Sequence, residues 1–249
     1  MPATAESPIS VNDVYKAFGS QKVLDGVSLR VARGETLAVL GKSGTGKSVL
    51  LKLLIGLEAP DSGSIQVHGQ DIVKLDSEKL NEVRKRIGFL FQQAALYDSL
   101  TVEQNVAFPL SHGRNPEAKQ RERVRELLES VGMEEHAHKL PSEISGGMQK
   151  RVGLARALVL DPDILLFDEP TAGLDPITAA EIDDLIVKSQ EKRKLTAIVV
   201  THDIRGAKTF ADRLVLMRDG QIVAEGTFAQ LRKSQDEFVQ QFVGVSSAG

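Results

Sequence analysis

Among its 249 residues the chain has no cysteine and no tryptophan, and aromatics make up only 4%. Without cysteine it can build neither a disulfide framework nor a thiolate metal site, which suits a reducing compartment. No apolar run approaches the roughly 18 residues needed to span a bilayer. The opening "MPATAESPIS" lacks the basic and apolar regions of a secretory signal, so none is expected. Positive charge is not in excess either: 31 basic side chains stand against 34 acidic ones, a net of -3, so there is no electrostatic footprint for nucleic acid. The expectation is a soluble, cytoplasmic chain long enough to bury a full core.

Short apolar runs alternate with helical patterns, as in α/β proteins. "TLAVL" (36–40), "DILLF" (163–167), "TAIVV" (196–200) and "RLVLM" (213–217) read as buried parallel strands. Segments near 8–14, 27–32 and 63–68 alternate more and are punctuated by Gly34, Gly63 and Gly69, as in an antiparallel sheet. From about 95–100 to 160 the pattern is helical, an insertion between strands of one core. Within it Asn115 is the expected N-cap and Pro116 the first residue of a helix that turns Val124, Leu127, Leu128 and Val131 to one face.

The chemistry begins at "GKSGTGKS", residues 41–48, which follows one of those strands and opens the apolar stretch "VLLKLLIGL". That context and the G-x-x-x-x-G-K-[ST] spacing define a phosphate-binding loop. Gly41, Lys42, Ser43, Gly44, Thr45 and Gly46 supply a backbone whose N–H groups can point at phosphate. Lys47 is placed to reach the β- and γ-phosphates, and the Ser48 hydroxyl to ligate Mg²⁺. Downstream, "DILLFDEPTAGLD" sets Asp168 at a strand end, where it can hold Mg²⁺ through water, and Glu169 next to it as a base for the attacking water. His202 follows "TAIVV" at the sheet edge where α/β proteins bind ligands, and could contact the γ-phosphate. His136 and His138 have no metal-ligand partners nearby and are expected to face solvent.

A second anion site is written into "EISGGMQ" (143–149). Ser145 stands where a helix N-cap belongs, ahead of Met148, Val152, Ala155, Leu158 and Val159 at helical spacing. Gly146 and Gly147 weaken the first turn by roughly 1 kcal/mol each, but leave bare N–H groups at the positive end of a helix dipole. No lysine of a phosphate loop adjoins them, so an anion held here must be anchored elsewhere.

Taken in order, these motifs resemble the ATP-binding subunits of ABC transporters over about residues 8–228, with 229–249 a C-terminal tail. "GKSGTGKS" is similar to the Walker A motif, "ILLFDEP" to Walker B, "TAGLD" to the D-loop with Asp175, "VTHD" to the switch-histidine motif and "FLFQQAAL" to the Q-loop with Gln92. "ISGGM" takes the place of the signature "LSGGQ", with Met148 and Ile144 as departures, and Phe18 that of an aromatic ring stacked on adenine. The resemblance implies a P-loop nucleotide-binding core with an antiparallel β subdomain and an inserted α-helical subdomain. It also implies ATP and Mg²⁺ as ligands, with Gln92 a metal ligand and γ-phosphate sensor beside Ser48 and Asp168. Two chains are expected to form a head-to-tail homodimer in which Ser145, Gly146 and Gly147 of one cap the ATP held by Lys47 of the other. Such a dimer sits on membrane-embedded permease subunits at the cytoplasmic face of the inner membrane.

Within that family "FLFQQAALYDSLTVEQNVAFPL", "ISGGMQKRVGLARAL" and the tail "DEFVQQFVG" look like the ATPase of Mla-type transporters, which work with Mce-domain proteins to move phospholipid. Another ABC importer or a lipoprotein-releasing system is the alternative. DNA-repair ATPases of the superfamily need long coiled coils, but the roughly fifty residues between Gln92 and Ser145 show no sustained heptads. Beside Gln92, "AALYDSL" is apolar: either it forms a permease groove, or Leu96 and Tyr97 pack the helical insertion. In the tail, Phe238, Val239, Phe242 and Val243 make an apolar stripe that could pack on its own domain. We expect it instead to reach the neighbouring ATPase chain or an accessory subunit.

Overall fold

The structure is a computed structural model and describes residues 7–112 and 116–244. Two strands, β1 (Ile9–Phe18) and β2 (Gln21–Val31), pair antiparallel, with Ile9 opposite Val31 and Phe18 opposite Gln21. After β3 (Thr36–Leu40) and α1 (Lys47–Leu54), strands β4 (Ser62–Val67) and β5 (Gln70–Asp71) return to complete an antiparallel sheet of order β2-β1-β4-β5. Helix α2 (Ser77–Lys85) leads into β6 (Ile87–Leu90). Between β6 and β7 (Ile164–Asp168) lie α3 (Val102–Ala107), α4 (Glu117–Ser130) and α5 (Gly146–Leu158). The remainder runs α6 (Pro176–Arg193), β8 (Thr196–Thr201), α7 (Ile204–Phe210), β9 (Arg213–Arg218), β10 (Gln221–Gly226), α8 (Phe228–Leu231) and α9 (Glu237–Gly244).

Strands β3, β6, β7, β8 and β9 form the parallel part of a second sheet, with order β10-β9-β3-β8-β7-β6 and β10 antiparallel at its edge. Side chains on a strand alternate between faces, and here both faces are covered, which is why these strands are apolar throughout. Leu37, Val39, Leu166 and Val200 pack with Leu50, Leu51, Leu53 and Leu54 of α1 and with the antiparallel sheet. Ala38, Leu40, Phe167 and Val199 face the opposite way, into a core shared with the helical segment and α6 to α9. Helix α1 is thus wedged between the two sheets, and a helix so enclosed holds its N-terminus, the phosphate loop, on a rigid base.

Strand bounds agree with the sequence expectation to within a residue for the parallel strands. Asn115 lies outside the described residues, and Pro116 stands one position earlier than expected. Its φ of -55° and ψ of 140° make it the N-cap residue, with helical geometry starting at Glu117. His138 is exposed and pairs with Glu103 at 3.2 Å, but His136 is half-buried and its Nδ1 is fully enclosed, contrary to the expectation for it.

The tail also corrects the expectation. Val239 and Val243 are 1% exposed and belong to the same core as Leu231, while the Phe238 ring lies under the Arg218 guanidinium at 4.9 Å. The apolar stripe therefore packs on its own domain, since α9 follows α8 closely enough to fold back onto it. Burying these four side chains contributes on the order of 3 kcal/mol. Truncation after Leu231 is expected to lower the melting temperature by roughly 10 °C and to leave self-association unchanged. Scanning calorimetry and sedimentation of the two proteins check this; an unchanged melting point with weakened self-association would restore a role between chains.

Candidate nucleotide site

The C-terminal ends of the parallel strands bring the distant motifs together. Leu40 of β3 is in register with Thr201 of β8, and Asp168 of β7 with Val200, so the phosphate loop, Asp168, Glu169 and His202 emerge along one edge. In the loop, Gly44 and Gly46 adopt φ of +81° and +94°, a region that favours glycine. At Gly41 the need is space, because a Cβ would stand 2.7 Å from the Met217 carbonyl. Lys42, Ser43 and Gly44 are exposed at the rim, and Thr45 Oγ1 donates to the Lys42 carbonyl at 2.9 Å.

Lys47 is 5% exposed, and its ammonium donates to the carbonyls of Gly41 (2.9 Å) and Lys42 (3.0 Å) while lying 3.7 Å from Glu169 Oε1. Burial pulls its pKa below the ordinary lysine value, and the Glu169 charge opposes that shift. Ser48 Oγ donates to Asp168 Oδ1 at 2.7 Å. Burial raises the Asp168 pKa, with the Ser48 bond acting against it. A hydroxyl and a carboxylate in contact, with the exposed Gln92 close in sequence to β6, are hard oxygen donors that fit Mg²⁺. Among the described residues no cluster of three His, Cys, Asp or Glu could hold a metal.

Glu169 is held on both oxygens. Oε2 accepts from His202 Nδ1 at 2.7 Å and from the His202 backbone N–H at 3.3 Å, while Oε1 faces Lys47. Because a carboxylate can only accept, the Nδ1 of His202 carries the proton. The imidazole is 60% exposed. This geometry sets a carboxylate, oriented by an imidazole, beside the phosphate loop.

Ser145 caps α5, its Oγ accepting from the Met148 N–H at 3.3 Å, and it is exposed together with Gly146. A Cβ on Gly146 would meet only Leu174 Cδ2, at an ordinary 3.9 Å, whereas one on Gly147 would stand 2.4 Å from Thr178 Cγ2, so the second glycine lets α5 close on α6. Asp175 stands at the N-terminus of α6. Its carboxylate caps α6, accepting from the N–H groups of Ile177 and Thr178 and from Thr178 Oγ1 at 2.6 Å, which lowers its pKa. Phe18 is 46% exposed at the tip of the β1–β2 hairpin, whose Val23 carbonyl packs over Gly46, and Lys16 covers its ring at 4.9 Å.

Residues 24–172 match the family model described as ABC transporter. The chain belongs to the ABC transporter ATPase family. The cassette is 43% identical to the intermembrane phospholipid transport system ATP-binding protein MlaF of Haemophilus influenzae, over 97% of this chain and 92% of that one. It is 43% identical to the methionine import ATP-binding protein MetN of Brucella abortus over 90% of its length, but spans only 61% of that relative. Its fold superposes on the dimeric structure of MJ0796, a bacterial ABC transporter cassette, with a TM-score of 0.82 and 35% identity, covering 88% of this chain and 98% of that one. A dimeric post-hydrolysis state of the same cassette, bound to ADP and Pi, gives a TM-score of 0.81. No helix among the described residues of the cassette is long and apolar enough to cross a membrane.

Three charged residues of the cassette escaped the sequence reading. Lys150 is 4% exposed, and burial pushes its pKa down to about 8. Arg156 is likewise shifted down by burial. Asp183 on α6 is buried beside Asp203, and its pKa is pushed up to about 6, mainly by burial. Lys150 and Arg156 in "MQKRVGLARAL" each fall three residues from Gly153, whose close packing was the one available signal, but spacing alone does not say which helix face is covered.

Proposed function

We propose that the cassette hydrolyses MgATP as a head-to-tail homodimer and drives a permease that moves phospholipid across a bacterial envelope from the cytoplasmic face of the inner membrane. The observation carrying the cargo is the relationship to MlaF, which extends over 97% of this chain and 92% of that protein. Import of a small solute is the second reading, favoured by equal identity to MetN.

In this reading Lys47 and the loop N–H groups hold the β- and γ-phosphates, and Ser48, Asp168 and Gln92 would hold Mg²⁺. When bound, that ion would supply positive charge to offset that of the phosphates. Glu169 takes the proton of the attacking water while His202 Nδ1 holds its carboxylate in place. Ser145 and Gly146 are both exposed, which supports their use by a second copy.

The helical segment at about 95–160 would meet the permease. Both expectations for "AALYDSL" find support: Leu96 packs on the core, but Tyr97 is 47% exposed and stacks at 4.5 Å on Phe108, itself 39% exposed. With Phe89, Phe91 and Leu160 they line a groove of about 530 Å³, apolar enough for a permease helix. Tyr97→Asp is expected to cut transport by about 10- to 100-fold, the cost of burying an unpaired charge at an interface, while ATPase of the isolated subunit stays within two-fold. Co-purified permease in liposomes, assayed for labelled phospholipid and for methionine, separates the two cargoes. Parallel loss of both activities in Tyr97→Asp would mean that the tyrosine serves folding alone.

A further inference from the structure

Three non-glycine residues around the site have left-handed backbone, Ala94 (φ +56°), Ala95 (φ +47°) and Glu169 (φ +47°). L-residues avoid this region, and where they enter it the surroundings must hold them. The carbonyls of all three accept hydrogen bonds from cations on one helix, α5. Arg156 donates to Ala94 (2.5 Å) and to Ala95 (2.7 Å). Lys150 donates to the Glu169 carbonyl at 3.1 Å and to the carbonyl of Gln92. Between the two cations Gly153 brings the helix so close that a Cβ would stand 2.7 Å from Leu90 Cδ1 and 3.3 Å from Ala94 Cβ.

An enclosed ammonium is costly to keep, and an apolar residue would be the cheaper occupant if packing were the whole purpose. Left-handed backbone, the buried Lys150 and the half-buried Arg156 meet here at the two segments that carry Gln92 and Glu169. We propose that Lys150 and Arg156 are positioning residues for hydrolysis: from the signature helix they hold the backbone of residues 92–95 and of Glu169, and so aim the Gln92 amide and the Glu169 carboxylate at the nucleotide. This inference deepens the reading above and rests on Gln92 and Glu169 serving the nucleotide. The helix that begins with Ser145, Gly146 and Gly147 then carries both groups, so a shift at its N-terminus displaces them together. Displacement by about 1 Å is enough to cost on the order of 10²-fold in rate.

The test compares Lys150→Met, which keeps the length and loses the donors, with Lys150→Arg, which keeps them. In the full-length protein Lys150→Met is expected to bind MgATP within about three-fold of wild type and to lose roughly 10- to 100-fold in kcat. Amide exchange at residues 92–97 and 169–172 should quicken while α1 is unaffected, and Lys150→Arg should recover most of kcat. Arg156→Lys, which gives up one of the two carbonyl bonds, should quicken exchange at 94–96 with an intermediate loss of kcat, and serves if Lys150→Met does not fold. Gln92→Ala and Glu169→Gln are measured alongside. If those two keep wild-type turnover, the nucleotide roles fail and this inference with them. If they lose turnover while Lys150→Met and Arg156→Lys do not, the positioning role alone is overturned. A fall in melting temperature, MgATP affinity and kcat together, without recovery in Lys150→Arg, overturns it as well.

Discussion

Replacing Glu169 with glutamine is expected to leave MgATP binding near wild type and to reduce hydrolysis by about 10²- to 10⁴-fold, the range for losing a general base. The carboxylate has no other task that the amide would fail by shape. Its Oε2 accepts from His202 Nδ1 at 2.7 Å and from the His202 N–H, and a glutamine carbonyl oxygen can accept both. What the amide cannot do is take a proton from water. Its nearest cation, Lys47 at 3.7 Å, holds the loop carbonyls as well and stays anchored without the charge. The variant should therefore collect as an ATP-held dimer, visible by size-exclusion chromatography in MgATP. Turnover within a few-fold of wild type would remove Glu169 from the chemistry.

Mixing Lys47→Ala with Ser145→Arg should restore hydrolysis that neither variant shows alone. Each homodimer carries the same lesion in both sites, and loss of a phosphate-binding group costs about 10²- to 10³-fold. In a head-to-tail heterodimer both lesions fall in one site and the other is intact. An equal mixture, half of it heterodimer with one working site of two, is then expected to reach up to about a quarter of wild-type activity. The geometry supports this arrangement, because within one chain the glycines of the signature have Leu174 and Thr178 as neighbours, and Ser145 is exposed. A chain carrying both changes, paired with wild type, damages both sites and provides the contrast. Equal activity in the two pairings would place each site within a single chain.

Much of this was legible in order along the chain. The unbroken apolar runs "TLAVL", "DILLF" and "TAIVV" are enough to mark strands buried on both faces, since a strand with no polar face leaves no side for water. The spacing of "GKSGTGKS" determines a phosphate loop because its glycines and lysine act within eight consecutive residues. Ser145 as a helix cap is likewise local, decided by bonds that span one turn.

What the sequence could not decide involves partners far apart in the chain. Gly147 reads as an anion ligand, yet its lack of a Cβ is required by Thr178, thirty-one residues on. Asp175 resembles a nucleotide contact, and the fold adds that its carboxylate caps α6. The tail stripe is visible as a period, though a period does not name the surface it meets, and only the fold sets Val239 and Val243 in the core beside Leu231. Lys150 and Arg156 look like the solvated charges of a helix until β6 and β7 pair in parallel, with Leu90 in register with Phe167. That pairing sets the segments following both strands against one face of α5, where Lys150 is buried, Arg156 is half-buried and both bond to carbonyls. Local rules therefore determined the elements and the phosphate loop, and tertiary packing decided which side chains hold the remaining groups, because burial is a property of the whole assembled core rather than of any window of residues.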